Sequence, residues 1–169
     1  LPDTLEPTPT KRAGLSNYYT SFDYGDVSFF VLEDRKFKKG AKSEDADYPE
    51  TYLGAIQLNH LRKWCETPMP GKRKCLVAQT IYAAMSLSAE GTFPYDWDVN
   101  AMYIAERNEI IKMLADANAV ILCGDQHLCT FSQLGTTDPA NKGKPIQPEE
   151  YSNGSYQFSV PPVGNVFWR

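Results

Sequence analysis

Ala119-Val120-Ile121-Leu122-Cys123-Gly124-Asp125-Gln126-His127 is the stretch on which the fold turns. Its first five residues are apolar without a break, as in a short strand buried on both faces; a half-exposed strand would alternate. Gly124 then permits a tight backbone, and the chain passes at once to a carboxylate, an amide and an imidazole. Just upstream, residues 101–118 set Ile104, Ile110, Ile111, Leu114 and Ala115 on a broad apolar stripe, with Glu106, Arg107, Glu109 and Lys112 around it. That spacing predicts an amphipathic helix, with Asp98 or Asn100 at the capping position. A helix feeding a buried strand is the repeating unit of layered α/β proteins.

The same pattern extends outward. Tyr18 to Phe22 is aromatic and β-prone, Asp23-Tyr24-Gly25-Asp26 is turn-like, and Val27 to Leu32 is nearly continuous in hydrophobicity, which together predict a β-hairpin. Its second strand ends abruptly in Glu33-Asp34-Arg35-Lys36. Leu53, Ile56, Gln57, His60, Leu61 and Trp64 fall at helical spacing, and His60 on that face reads as a packed core residue. Lys74 to Tyr82 reads as a central strand, residues 128–134 as a strand or a short helix, and Tyr156 to Val160 as an alternating strand before Pro161-Pro162. Residues 38–51, 86–100 and 135–150 are loop-like, and 1–17, with Pro2, Pro7 and Pro9, form an extended lead-in to a core of 18–169. The order strand pair, helix, strand, helix, strand, polar loop, strand predicts α/β or α+β layering. At 169 residues the chain amounts to one domain or a large part of one, on a usual size of roughly 100–200 residues.

Composition narrows the function. Seventeen Lys and Arg against 21 Asp and Glu give a net charge of −4, so there is no nucleic-acid platform held by a positive field. Nothing approaches the ~20-residue apolar run of a transmembrane segment. The sequence opens on Leu1 with no basic-then-apolar leader, and so reads as a processed product or a piece of something longer. Four cysteines allow three pairings. Cys65 and Cys75 bracket a turn-rich segment that a disulfide could close in an oxidising compartment, whereas Cys123 and Cys129 read as buried thiols on strand ends.

In layered α/β proteins the chemistry gathers where strands end at their carboxyl edge. Two such ends are polar here: Asp34-Arg35, and Asp125-Gln126-His127. An Asp and a His two residues apart on a turn can present a hard oxygen and an imidazole nitrogen to one cation or cation pair, the mixed donor set of hydrolytic metal centres. The competing reading is an Asp capping a turn beside a surface His. No Gly-x-Ser-x-Gly elbow, phosphate-binding Gly-x-x-x-x-Gly-Lys-Ser/Thr loop or dinucleotide fingerprint occurs, and the cysteine spacings do not make a zinc finger.

Four blocks, in order, resemble the PhoD-like (alkaline phosphatase D) metallophosphatases: Tyr18 to Phe37, Leu53 to Trp64, Ala105-Glu106-Arg107-Asn108, and Val120 to His127. They span most of residues 18–134. The resemblance implies part of a four-layer αββα metallophosphoesterase sandwich that hydrolyses phosphate mono- or diesters with bound metals, iron and calcium being those associated with the family. It implies that Asp125 and His127 are the final metal-ligand pair, that Asp34 and Arg35 support the site, and that Trp97 and Asp98 lie in a loop near the substrate. The family's earlier ligand blocks, of Gly-Asp-x-x-x-x-Asp and Asp-Asp-His/Asn type, would fall upstream of Tyr18, where this chain has no room for them. The chain is therefore expected to be the C-terminal portion of a single metallophosphatase domain. Its partners would be a phosphate ester and the missing N-terminal part of the same domain, and its home extracytoplasmic. The alternative is a non-catalytic structural or interaction module on a phosphatase-derived fold, to which the 12% aromatic content would lend contact surface.

Overall fold

The computed structural model of the chain describes residues 18–35, 52–82, 103–124, 129–135 and 155–160. Among these the elements run β1 (Thr20–Tyr24), β2 (Val27–Val31), α1 (Gly54–Glu66), β3 (Arg73–Ala78), α2 (Ile104–Asp116), β4 (Ala119–Cys123), β5 (Thr130–Gln133) and β6 (Tyr156–Ser159). They form one sheet in the order β1-β2-β3-β4-β6-β5. β2, β3, β4 and β6 are parallel to one another, and the two edge strands are antiparallel to their neighbours. The α/β expectation holds.

Local chemistry explains the breaks. Gly25 turns the hairpin at φ 55°, the left-handed backbone that a two-residue connection requires. α2 stops at Asp116 because Asn118, at φ 50°, takes the left-handed exit that usually falls to glycine. Of residues 128–134, open between strand and helix in sequence, Thr130–Gln133 form strand β5. Asp98 and Asn100, the expected caps of α2, lie outside the described residues; the helix opens at Ile104, with no side-chain cap from its N-cap residue Tyr103.

Both helices lie on one side of the sheet. Phe30, Leu76 and Ile121 stand in one row across β2, β3 and β4, and pack in a common core with Leu61 and Trp64 of α1 and Ile110, Ile111 and Leu114 of α2. Each such side chain stabilises the fold by about 1.5–3 kcal/mol on leaving water. On the other face two apolar rows run across the strands: Phe22, Phe29, Cys75, Val120 and Tyr156, then Val31, Val77, Leu122, Phe158 and Phe131. Phe131 stacks on Tyr156 at 5.4 Å and meets Phe158 at 4.8 Å, yet it is 63% exposed and Phe158 40% exposed.

The cysteine expectations are corrected here. Cys129 is exposed rather than buried, and Cys65 and Cys75 do not pair: both are free, as are Cys123 and Cys129. Strand alternation is the reason, since Cys65 packs in the helix-side core whereas Cys75 points to the opposite face of the sheet. The support that a disulfide would have lent to an extracytoplasmic home is lost with it.

Candidate active-site edge

All four parallel strands end at one edge, which gathers Glu33-Asp34 after β2, Gln79-Thr80 after β3, Gly124 after β4 and Val160 after β6. Asp34 is wholly buried there. Its Oδ1 accepts from the Gln79 N–H at 3.0 Å, and its Oδ2 accepts from the Thr80 N–H at 3.2 Å and the Thr80 hydroxyl at 2.8 Å. A carboxylate removed from water needs such donors, and these bind the exit of β3 to that of β2. The neighbouring Glu33 is read by Gln57 of α1, whose side chain accepts from the Glu33 N–H at 2.8 Å and donates to the Glu33 carbonyl at 2.9 Å. Arg35 is exposed, its N–H donating to Glu33 Oε1 at 3.1 Å.

Further buried groups hold the β3 exit in place. The Tyr52 hydroxyl donates to that of Tyr82 at 2.9 Å, and burial, together with nearby Asp34 and Glu106, holds both phenols well above their usual range. The Tyr82 N–H donates to Gln157 Oε1 of β6 at 2.7 Å, and Arg107 of α2 donates from Nε to the Tyr82 carbonyl at 2.7 Å. Burial pushes the Cys123 thiol up to about 11; a Ser159 hydrogen bond opposes the shift and the Asp34 charge adds to it. Cys123 is therefore a neutral thiol near pH 7, unsuited to nucleophilic attack.

Of the residues singled out from sequence, the structure brings Asp34 and Arg35 to this edge. Asp125 and His127, as well as Trp97 and Asp98, lie outside the described residues, although Gly124, immediately before Asp125, stands at the end of β4. His60 is buried, with its Nδ1 2.9 Å from the Tyr19 hydroxyl. No three His, Cys, Asp or Glu side chains among the described residues are placed to hold a metal, so this part of the chain does not by itself form a metal centre. Gln57, Thr80, Tyr82 and the clamping action of Arg107 were not foreseen. Arg107 carried a readable signal, since with Ile110, Ile111 and Leu114 it keeps the i, i+3, i+4, i+7 phase of the buried stripe.

A mixed, largely parallel sheet with the described helices on one face and buried polar groups at its carboxyl edge defines an α/β protein. The family profile of the PhoD-like phosphatases matches residues 5–163, and the chain belongs to that family. A solved structure, described as the structure of PhoD, matches with a TM-score of 0.57 at 22% identity. That match covers 92% of this chain and 31% of the solved one, so the chain spans about a third of the length of that relative. No curated protein sequence matches the chain.

Proposed function

We propose that this chain supplies the carboxyl-edge half of a phosphate-ester hydrolase site, in which Asp125 and His127 serve as metal ligands and the rest of the donor set comes from a longer protein. The observation that carries this reading is the position of Gly124. It ends the central strand β4 between the exits of β3 and β6, so the chain leaves toward Asp125 and His127 from the middle of the parallel edge. Family membership supports the phosphatase class, and the 31% coverage of the solved relative supports a site completed by further chain.

Asp125 would contribute a carboxylate oxygen and His127 an imidazole nitrogen, donors that suit iron and calcium between them. Bound there, the metals would supply Lewis acidity toward a phosphoryl oxygen. The chain's own groups have other tasks. Asp34 gives its carboxylate to the β3 exit, and Arg35, exposed beside it, would meet the ester's negative charge. Trp97 and Asp98 are assigned to the substrate side of the same pocket. The longer protein's remaining layers would cover the open apolar face of the sheet, as the αββα resemblance implies, and the extracytoplasmic assignment rests on that resemblance alone.

The test is hydrolysis of p-nitrophenyl phosphate and bis(p-nitrophenyl) phosphate by the full-length protein, with iron and calcium measured in the same samples. Asp125→Ala and His127→Ala should each lower kcat/KM by on the order of 100-fold or more and reduce bound metal, since ligands this close to the chemistry tolerate little displacement. Unchanged activity and metal content in both variants would overturn the reading in favour of a non-catalytic module.

A further inference from the structure

Glu106 and Arg107 lie in the first turn of α2, and the proposed chemistry uses neither. Arg107 is only 5% exposed, and burial lowers its guanidinium from 12.5 to about 10, which leaves it charged at neutral pH. Its Nε donates to the Tyr82 carbonyl at 2.7 Å, and its Nη1 to the Gly135 carbonyl at 3.3 Å and to Asn108 Oδ1 at 3.2 Å. Taking a cation out of water is costly, and these acceptors are neutral, so the arrangement is a poor device for stability alone. The planar fork gives direction instead: it fixes main-chain atoms from two segments more than fifty residues apart in sequence.

The segment so held is the exit of β3. It begins at Gln79 and Thr80, whose N–H groups donate to Asp34. It ends at Tyr82, whose N–H reaches Gln157 of β6. Gln157 stands beside Ile121 of β4, and β4 lies between β3 and β6. Residues 79–82 therefore form a strap made fast to Asp34 after β2 at one end and to Gln157 of β6 and Arg107 at the other, and β4 lies between those ends in the strand order.

We propose that Arg107 is a positioning residue: by gripping the Tyr82 carbonyl it holds the strap across β4, and so sets both the donors of Asp34 and the point, Gly124, from which the chain leaves for Asp125 and His127. It touches no substrate, and its role rests on the hydrolase reading above.

Arg107→Met and Arg107→Lys in the full-length protein are compared with wild type and Asp125→Ala on p-nitrophenyl phosphate, well below the melting temperature of each. Arg107→Met should lose about 10- to 100-fold in kcat with KM within about twofold, because small misplacements of reacting groups cost that much. Arg107→Lys, which keeps the charge without the fork, should fall between it and wild type. Wild-type kcat in the folded Arg107→Met variant, with only the melting temperature lowered, would make the residue merely structural and overturn the proposal. Should Arg107→Met not fold, Arg107→Lys decides: reduced kcat at wild-type KM supports the role, and unchanged kcat removes it. Failure of the hydrolase reading looks different, as an inactive wild type or an Asp125→Ala variant as active as wild type, and it takes the Arg107 role with it.

Discussion

Three thiols packed out of water set the chain's response to alkali. Burial pushes Cys65 up to about 12 and Cys75 and Cys123 up to about 11, from 9.0 for a free thiol. Above about pH 9 the unfolded chain sheds protons that the folded chain keeps, so the contribution of these groups is complete below that pH and declines as the pH climbs toward their folded values. Other groups modify that decline. Tyr52 and Tyr82 add to the loss above their ordinary 10.0, while Lys74 and Arg107, both lowered by burial, act in the opposite sense. Between about pH 9 and pH 10 the thiols dominate. The urea midpoint of the wild-type protein should fall across that interval, and that of the Cys65→Ala/Cys75→Ala/Cys123→Ala variant should stay nearly level. Equal slopes in the two proteins would refute the assignment.

At the scale of elements, helices and strands are finished by residues distant in sequence. α1 receives no side-chain cap from its N-cap residue Leu53. Glu106 of α2 does that work, its Oε2 accepting from the Tyr52 N–H at 2.6 Å and the Leu53 N–H at 3.4 Å. A carboxylate at a helix amino end satisfies free donors and meets the positive end of the dipole. Glu106→Gln should cost about 1 kcal/mol and Glu106→Ala about 2–3 kcal/mol in urea unfolding, with faster amide exchange in the first turn of α1. A loss below about 0.5 kcal/mol for Glu106→Ala would show that the cap is dispensable. Such long-range finishing explains where sequence reading stops. Periodicity was enough for both helices and for the strands, because burial repeats every 3.6 or 2 residues. It was not enough for the end of β3, which reads as strand through Tyr82 yet stops at Ala78. The cause is Asp34, 45 residues upstream of Gln79, which takes the Gln79 and Thr80 N–H groups out of any ladder. The Asp125-Gln126-His127 motif lies outside the described residues; what marks it in the sequence is local, a polar tripeptide placed one glycine after an apolar run.

For the molecule as a whole, the two faces of the sheet pose unequal demands. Ala119 to Cys123 is continuously apolar and Val27 to Leu32 nearly so, broken only by Ser28, the pattern of strands covered on both sides, but the described helices cover one side only. On the other, Phe22, Phe29, Leu122, Tyr156, Phe158 and Phe131 form rows that span the sheet from one edge strand to the other. A contiguous apolar face of that extent marks a surface that meets something other than water. With the solved PhoD structure roughly three times as long as the matched segment, the occupant we assign is further chain of the same protein, packed sheet on sheet at about 10 Å. The assignment has a direct test in the full-length protein. Phe158→Asp places a charge in the second row, between Leu122 and Phe131. If another layer covers that row, the unpaired carboxylate should cost several kcal/mol in urea unfolding and lower the yield of folded protein. If the face meets solvent, the substitution should fall within about 0.5 kcal/mol of wild type, as surface changes do, and the assigned occupant would be wrong. Phe158→Leu separates burial from charge: it keeps an apolar side chain, so a covered face should accept it for about 1.5 kcal/mol or less, far below the cost of the aspartate.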